Sequence, residues 1–295
     1  MRRLLIIGCG DIGLRVARLV EARYRLYALT HSPERCLALR ALNIRPILGD
    51  LDRPETLTRL AGLAHEVVHC APPQPQGARD LRTARLIAAL AKGESLPQQF
   101  VYLSTSGVYG DCRGALVDET RALRPQTARA CRRVDAERQL RSWGRRSGVR
   151  VTVLRAPGIY AADRLPIGRL KRGTPALRPA DDSYINHIHA DDLARMVVAA
   201  LRRGAPNRSY NAVDDEPQKM GDYFDLVADY LGLSRPPRVT RVEAEREMPP
   251  ALLSFMNESR RLTNRRIKRE LHCTLRYPAV LDGVSAAAHV PIEDR

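Results

Sequence analysis

Lysine is scarce: only Lys92, Lys171, Lys219 and Lys268 stand among the 49 basic residues. Arginine supplies the rest and is spread through every segment. The net charge of +16 therefore reads as composition, not as a stripe built for nucleic acid. The six cysteines (Cys9, Cys36, Cys70, Cys112, Cys131, Cys273) are scattered without a CxxC pair. That spacing argues against a disulfide framework or a zinc site and predicts reduced thiols. No apolar run approaches the ~20 residues of a membrane span. The run after Met1-Arg2-Arg3, Leu4 to Ile7, stops at Gly8, short of a secretory core. A cytoplasmic protein without membrane contact is expected. P-loop, HExxH and GxSxG motifs are also missing, as are internal repeats and low-complexity segments.

What is present suits a folded enzyme-sized chain. Its 295 residues, 44% hydrophobic, can build one large core or two modest ones. Strand and helix signals alternate from the start. Strands are predicted at Arg3–Ile7, Leu26–Leu29, Ile44–Leu48, Glu66–Cys70, Phe100–Ser104 and Arg150–Leu154. Helices are predicted at Ile12–Ala22, with Ile12, Val16, Leu19 and Val20 on one face, and at Pro33–Leu42, Pro54–Ala61, Leu81–Ala91 and Thr127–Arg146. Repeats of this unit imply an α/β, Rossmann-type, doubly wound parallel sheet. After residue 155 prolines loosen the pattern. A strand-like Ser183–His189 leads into a helix from Asp191 to Arg202, and further helices are expected at Met220–Leu231, Pro250–Ser254 and Leu262–Leu271. The expected division is a nucleotide-binding domain over 1–155, to which 183–213 returns, and a substrate or lid subdomain over 156–182 and 214–295.

The strongest motif is Gly8-Cys9-Gly10-Asp11-Ile12-Gly13, a GxGxxG between the first strand and first helix. Gly8 permits the tight turn, Gly10 lets a pyrophosphate approach the backbone, and Gly13 allows close helix packing. The first helical amides then receive phosphate. A dinucleotide is the implied ligand. A site for NAD carries an Asp or Glu at the end of the second strand to bind the ribose hydroxyls. Here that strand ends in Thr30-His31-Ser32, with Arg35 one turn on. Two hydroxyls and a cation suit a 2′-phosphate, which favours NADP over NAD as cofactor. His187, His189, Asp191 and Asp192 could suggest a metal. Alternation along a strand followed by a helix cap accounts for them, so no metal is assigned.

Val101-Tyr102-Leu103-Ser104-Thr105-Ser106-Gly107-Val108-Tyr109-Gly110 resembles the strand-five active-site motif of the extended short-chain dehydrogenases/reductases, the epimerase and dehydratase group. Other marks follow in order. They are Gly49-Asp50-Leu51, His69-Cys70-Ala71-Pro72-Pro73, Arg155-Ala156-Pro157-Gly158-Ile159-Tyr160, Asn186-His187-Ile188-His189-Ala190-Asp191-Asp192, Tyr210-Asn211-Ala212-Val213 with Asp215-Glu216-Pro217, Leu262-Thr263-Asn264-Arg265-Arg266-Ile267, and Leu275-Arg276-Tyr277-Pro278. The resemblance implies that Asp50 and Leu51 meet the adenine and that Ala71, Pro72 and Ser104 line the cofactor. It places Pro157, Gly158 and Ile159 on the nicotinamide side. Thr105 takes the position of the family's catalytic hydroxyl.

The chain departs from the family at its catalytic helix. Aligned on Pro125 and Glu137, Arg129 and Arg133 occupy the positions of the Tyr-x-x-x-Lys pair. Arginine's pKa above 12 makes it a poor proton shuttle, although Arg133 could bind ribose or phosphate. Tyr109 and Tyr160 are then the tyrosines available as a displaced acid. Arg129, Arg132 and Arg133 together could hold an anionic small-molecule substrate, or form a solvated helix face. Two readings stay open: an atypical NADP(H)-dependent oxidoreductase or epimerase-like enzyme, and a non-catalytic NADP(H) sensor. Family analogy suggests a homodimer through Leu81–Ala91 and Thr127–Arg146.

Overall fold

The computed structural model describes residues 1–248, 253 and 256–287. The helix expected over Pro250–Ser254 falls, apart from Leu253, outside the described residues. Strands β1 (Arg2–Ile7), β2 (Tyr24–Thr30), β3 (Ile44–Leu48), β4 (Glu66–His69) and β5 (Gln99–Thr105) join Arg150–Ala156 and Arg208–Asn211 in one sheet. Its order is Arg208–Asn211, Arg150–Ala156, β5, β4, β1, β2, β3, and every pairing is parallel. The chain runs outward from β1 to β3, then crosses to β4 and builds the other half. The reversal between β1 and β4 leaves a crevice beyond the C-terminal ends of the strands.

A parallel sheet is covered on both faces, so its strands are apolar on both. Leu4 and Ile6 of β1 pack with α1 (Asp11–Val20) and the helix Ala190–Arg203. Leu5 and Ile7 face the opposite layer, α3 (Leu81–Leu90) and α4 (Ala128–Ser147). Between β2 and β3 lies α2 (Arg35–Ala41). The buried stripe of α1 is Ile12, Gly13, Val16, Ala17 and Val20. Leu19, expected inside, is 46% exposed; at 100° per residue it falls off the face that Ala17 occupies. A separate core gathers Tyr160, Leu177, Met220, Phe224, Val227 and Val284 from the C-terminal region. No helix among the described residues is long and apolar enough to cross a membrane.

Three expected elements change form. Pro54–Leu60 is a 3-10 helix. Ser183–His189 is broken at Asn186: Tyr184–Ile185 pairs with Gln218–Lys219, and His187–His189 with Gly158–Tyr160. The Asn186 side chain accepts from the Leu262 amide at 2.7 Å and donates to the Arg260 carbonyl at 3.0 Å. The Leu262–Leu271 helix starts only at Arg265, because Arg261–Leu262 pairs with Leu116–Val117. The helices Arg241–Glu247 and Val280–Ala287 carried no sequence expectation.

Two buried histidines link this packing to pH. His69, at the end of β4, contacts the Thr83 hydroxyl at 3.2 Å. The His187 ring stacks on Tyr223 with centroids 4.2 Å apart. Burial, joined at His69 by the Arg133 charge, holds both pKa values down to about 3. Unfolded histidine titrates near 6.5, so between that pH and about 3 the unfolded chain binds more protons and stability is lost as the pH is lowered. Each ring is expected to remove about 2 kcal/mol between pH 7 and pH 5. His187→Phe, which keeps the stack on Tyr223, should shrink that loss by about 2 kcal/mol in urea melts. Equal pH dependence in variant and wild type would show that His187 is not held neutral.

Candidate functional site

At the switch point β1 ends in Gly8, whose φ of +82° suits glycine. A β-carbon there would lie 2.5 Å from the Ala71 nitrogen, so β4 and the loop meet backbone to backbone. On Gly13 it would lie 3.0 Å from the Gly8 oxygen and 3.1 Å from Ile6. On Gly10 it would meet nothing within 4 Å. The open glycine thus stands beside the first amides of α1, those of Asp11, Ile12 and Gly13, which lack helical partners. The Asp11 carboxylate accepts from Arg15 Nε at 2.6 Å and from Arg164 at 2.8 Å. Arg15 also pairs with Asp191, at the start of the Ala190–Arg203 helix.

The end of β2 carries no carboxylate. Thr30 Oγ1 accepts from the Ser32 amide at 3.2 Å. Ser32 donates to Glu34, and this bond is the main cause holding the Glu34 carboxyl below its usual range. Exposed Arg35 reaches back to the Cys9 carbonyl at 2.7 Å, laying a cation along the glycine loop. Asp50 is folded into its own turn, accepting from the Asp52 amide at 2.9 Å. Leu51 is buried beside it and Pro72 is exposed.

β5 delivers the hydroxyls. Half-buried Thr105 accepts from the Gly107 amide at 3.3 Å, which leaves its own proton free to donate. Ser104, expected at the cofactor, turns the other way because strand side chains alternate. It donates to Glu137 at 2.7 Å. Glu137 holds Arg155 through two bonds of 3.1 and 2.7 Å, with both side chains almost wholly buried. Arg155 donates at 2.9 Å to the Tyr109 hydroxyl, which donates to Asn211 Oδ1 at 2.7 Å. Burial opposes the Arg155 charge, but the Glu137 carboxylate more than reverses that and raises its pKa.

Tyr109, expected as an acid, is therefore enclosed, and burial pushes its phenol up to about 12. The Tyr160 hydroxyl is likewise occupied, donating to the Ala279 carbonyl at 3.1 Å. Sequence reasoning missed the Glu137–Arg155 pair. Its signal was a charged residue directly after the apolar run of the Arg150–Ala156 strand.

Three arginines stand on the first turns of α4, and one of them reaches the crevice. Arg133 Nη1 donates to the Tyr102 hydroxyl and the Leu103 carbonyl, both at 2.9 Å, and reaches the Ala71 carbonyl at 3.5 Å. It bridges the ends of β4 and β5. Arg132 donates to the Gly77 carbonyl at 2.8 Å. Arg129, one turn earlier, has no hydrogen-bond or ion-pair partner among the described residues. Desolvation, then the charges of Arg133 and Arg132, lowers its pKa. Pro157, Gly158 and Ile159 continue from Ala156 into the short ladder with His187–His189. His189 accepts the Asp191 amide at 3.2 Å, capping the Ala190–Arg203 helix. The structure thus gathers Gly8, Gly10, Gly13, Arg35, Ala71 and Arg133 around one crevice, with Thr105 on an adjacent strand end, and turns Ser104 and Tyr109 away.

Known proteins share this architecture. A conserved protein of unknown function from Silicibacter pomeroyi is 29% identical, with a TM-score of 0.79 over 98% of this chain and 99% of its own. A UDP-glucose 4-epimerase from Thermotoga maritima is 19% identical, with a TM-score of 0.78 and 97% of each chain covered. A nucleoside-diphosphate-sugar epimerase from Pseudomonas aeruginosa is 18% identical, with a TM-score of 0.79 over 98% of this chain and 96% of its own. No curated protein matches the sequence. The model of the NAD dependent epimerase/dehydratase family matches residues 4–212, and the chain belongs to that family.

Proposed function

We propose that the protein binds NADP(H) in the β1/β4 crevice and is an atypical extended short-chain reductase or epimerase-like enzyme acting on a small or nucleotide-linked substrate. The observation that carries this reading is the open Gly10 beside the first amides of α1, with Arg35 lying along the loop. The residues fit the group: the amides and Gly10 would take the diphosphate, and Thr30, Ser32 and Arg35 the 2′-phosphate. Asp50, Leu51, Ala71 and Pro72 would line the adenosine half. When bound, the cofactor supplies or accepts a hydride.

The chain's own groups would orient the substrate. The free proton of Thr105 is available to a reacting oxygen. Arg129 and Arg133, at the family's Tyr and Lys positions, stay charged and cannot pass a proton at neutral pH. Arg129, without a counter-charge, would hold an anionic substrate group in place. The exchanged proton then comes from water or from the substrate itself. A second reading, a non-catalytic NADP(H) sensor, is favoured by the enclosed Tyr109 hydroxyl. A homodimer through α3 and α4 would have to accommodate exposed Arg138, Arg145 and Arg146.

Calorimetric titration tests the cofactor site. NADPH is expected to bind at least about tenfold tighter than NADH, with the preference lost in Arg35→Ala. Binding of neither nucleotide would overturn the reading. Turnover separates enzyme from sensor in a screen of carbonyl and nucleotide-sugar compounds followed by NADPH absorbance. Thr105→Ala should lower turnover by about a hundredfold while leaving NADPH affinity unchanged. Tight NADPH binding with no turnover of any compound would favour the sensor.

A further inference from the structure

A second site lies away from the crevice. A pocket of about 470 Å³ opens between the segment Leu116–Arg121 and the helix Arg265–Leu271. Arg121 stands on one wall, with Arg265, Arg266 and Arg269 on the other, and Thr120 and Thr263 complete the polar lining. Two carboxylates, Asp118 and Glu119, face these four guanidinium groups. They offset part of this charge and leave the cations in excess, four to two. Asp118 is bonded by the amide and hydroxyl of Thr120. Glu119, its side chain 2% exposed, accepts the Asn211 amide at 2.9 Å and pairs with Arg266 at 3.4 Å. Arg269 has only a long contact of 3.6 Å to Glu270. Arg121 and Arg265 have no side-chain hydrogen bond or ion pair among the described residues.

We propose that this pocket binds the linked phosphates of a free polyphosphate, such as the di- or triphosphate chain of a nucleotide, separately from the crevice. Four guanidinium groups around one pocket outnumber its two carboxylates, and a multivalent anion would offset the excess positive charge. Arginine forks bind phosphate oxygens in pairs. Cations on opposite walls suit two linked phosphates better than one. The pocket's volume is that of a small-molecule site, and arginines and threonines make up most of its lining beside Leu116 and Val117. Glu119, which holds Arg266 at the pocket floor, also holds the Asn211 backbone. The Asn211 side chain in turn holds Tyr109 behind the Thr105 turn. An occupant that draws Arg266 from Glu119 therefore acts one residue from that buried network.

Calorimetric titration with inorganic pyrophosphate decides the matter, using the full chain at low ionic strength. Arg121→Ala/Arg265→Ala removes two side chains that bond nothing among the described residues, and an unchanged melting curve would verify its folding. Pyrophosphate affinity is expected to fall at least about tenfold in this variant and to be unchanged in Arg35→Ala. Saturating NADPH should leave the binding in place, and inorganic phosphate should bind more weakly. No binding to wild type, or equal affinity in the double variant, would overturn the proposal. Complete displacement by NADPH would also overturn it, by assigning the anion to the glycine loop; failure of NADPH itself to bind bears only on the cofactor reading.

Discussion

The buried pair of Glu137 and Arg155 is the constraint around which the C-terminal end of the sheet is arranged. Two charges removed from water are costly unless their remaining donors and acceptors are satisfied. Here Ser104 completes the carboxylate and Tyr109 takes the free arm of the guanidinium. Asn211 then accepts from Tyr109. One pair thereby joins α4, the ends of β5 and two neighbouring strands, and the 3-10 turn after Thr105. It also determines which hydroxyl faces outward. Ser104 must point at Glu137, so alternation along β5 sends Thr105 to the other side. The same closure encloses Tyr109. The hydroxyl that the sequence offered as an acid thus completes a buried charge in this structure.

Charge is handled differently at the glycine loop. Asp11 sits at the start of α1, where a carboxylate favours the helix dipole but would repel an arriving diphosphate. Arg15 and Arg164 draw it aside and offset its charge. Arg164 belongs to the C-terminal region, so that region touches the loop through an ion pair that phosphate could replace. Arg35 approaches from α2. The crevice is therefore bordered by cations from both halves of the chain, although its first helical residue is acidic.

The succession of strands along the chain was readable because a sheet buried on both faces needs apolar runs, and crossover helices separate them. The glycine loop was readable because each of its glycines answers a separate physical demand. Elements set by distant partners were not readable. Ser183–His189 reads as one strand until Asn186 is bonded to Arg260 and Leu262. Arg261–Leu262 reads as helix until it pairs with Leu116–Val117. At the site, residue types on β2 and α1 announced their place, whereas Ser104 and Tyr109 depended on where Arg155 would find a counter-charge.

Arginine abundance takes on meaning only against this bonding pattern. Many of these side chains stitch the backbone: Arg133 to Leu103, Arg132 to Gly77, Arg141 to Asn207, Arg203 to Leu271, Arg238 to Leu177. A planar fork with five donors satisfies carbonyls at strand and helix ends that lysine could meet only as a point charge. Part of the arginine content therefore serves structural bonding, which is why charge alone is a poor argument for nucleic acid. The informative arginines are those the fold does not use. Arg129 on the first turn of α4 and Arg121 and Arg265 at the second pocket lack partners among the described residues. Unused donors beside other cations point to an anion from outside.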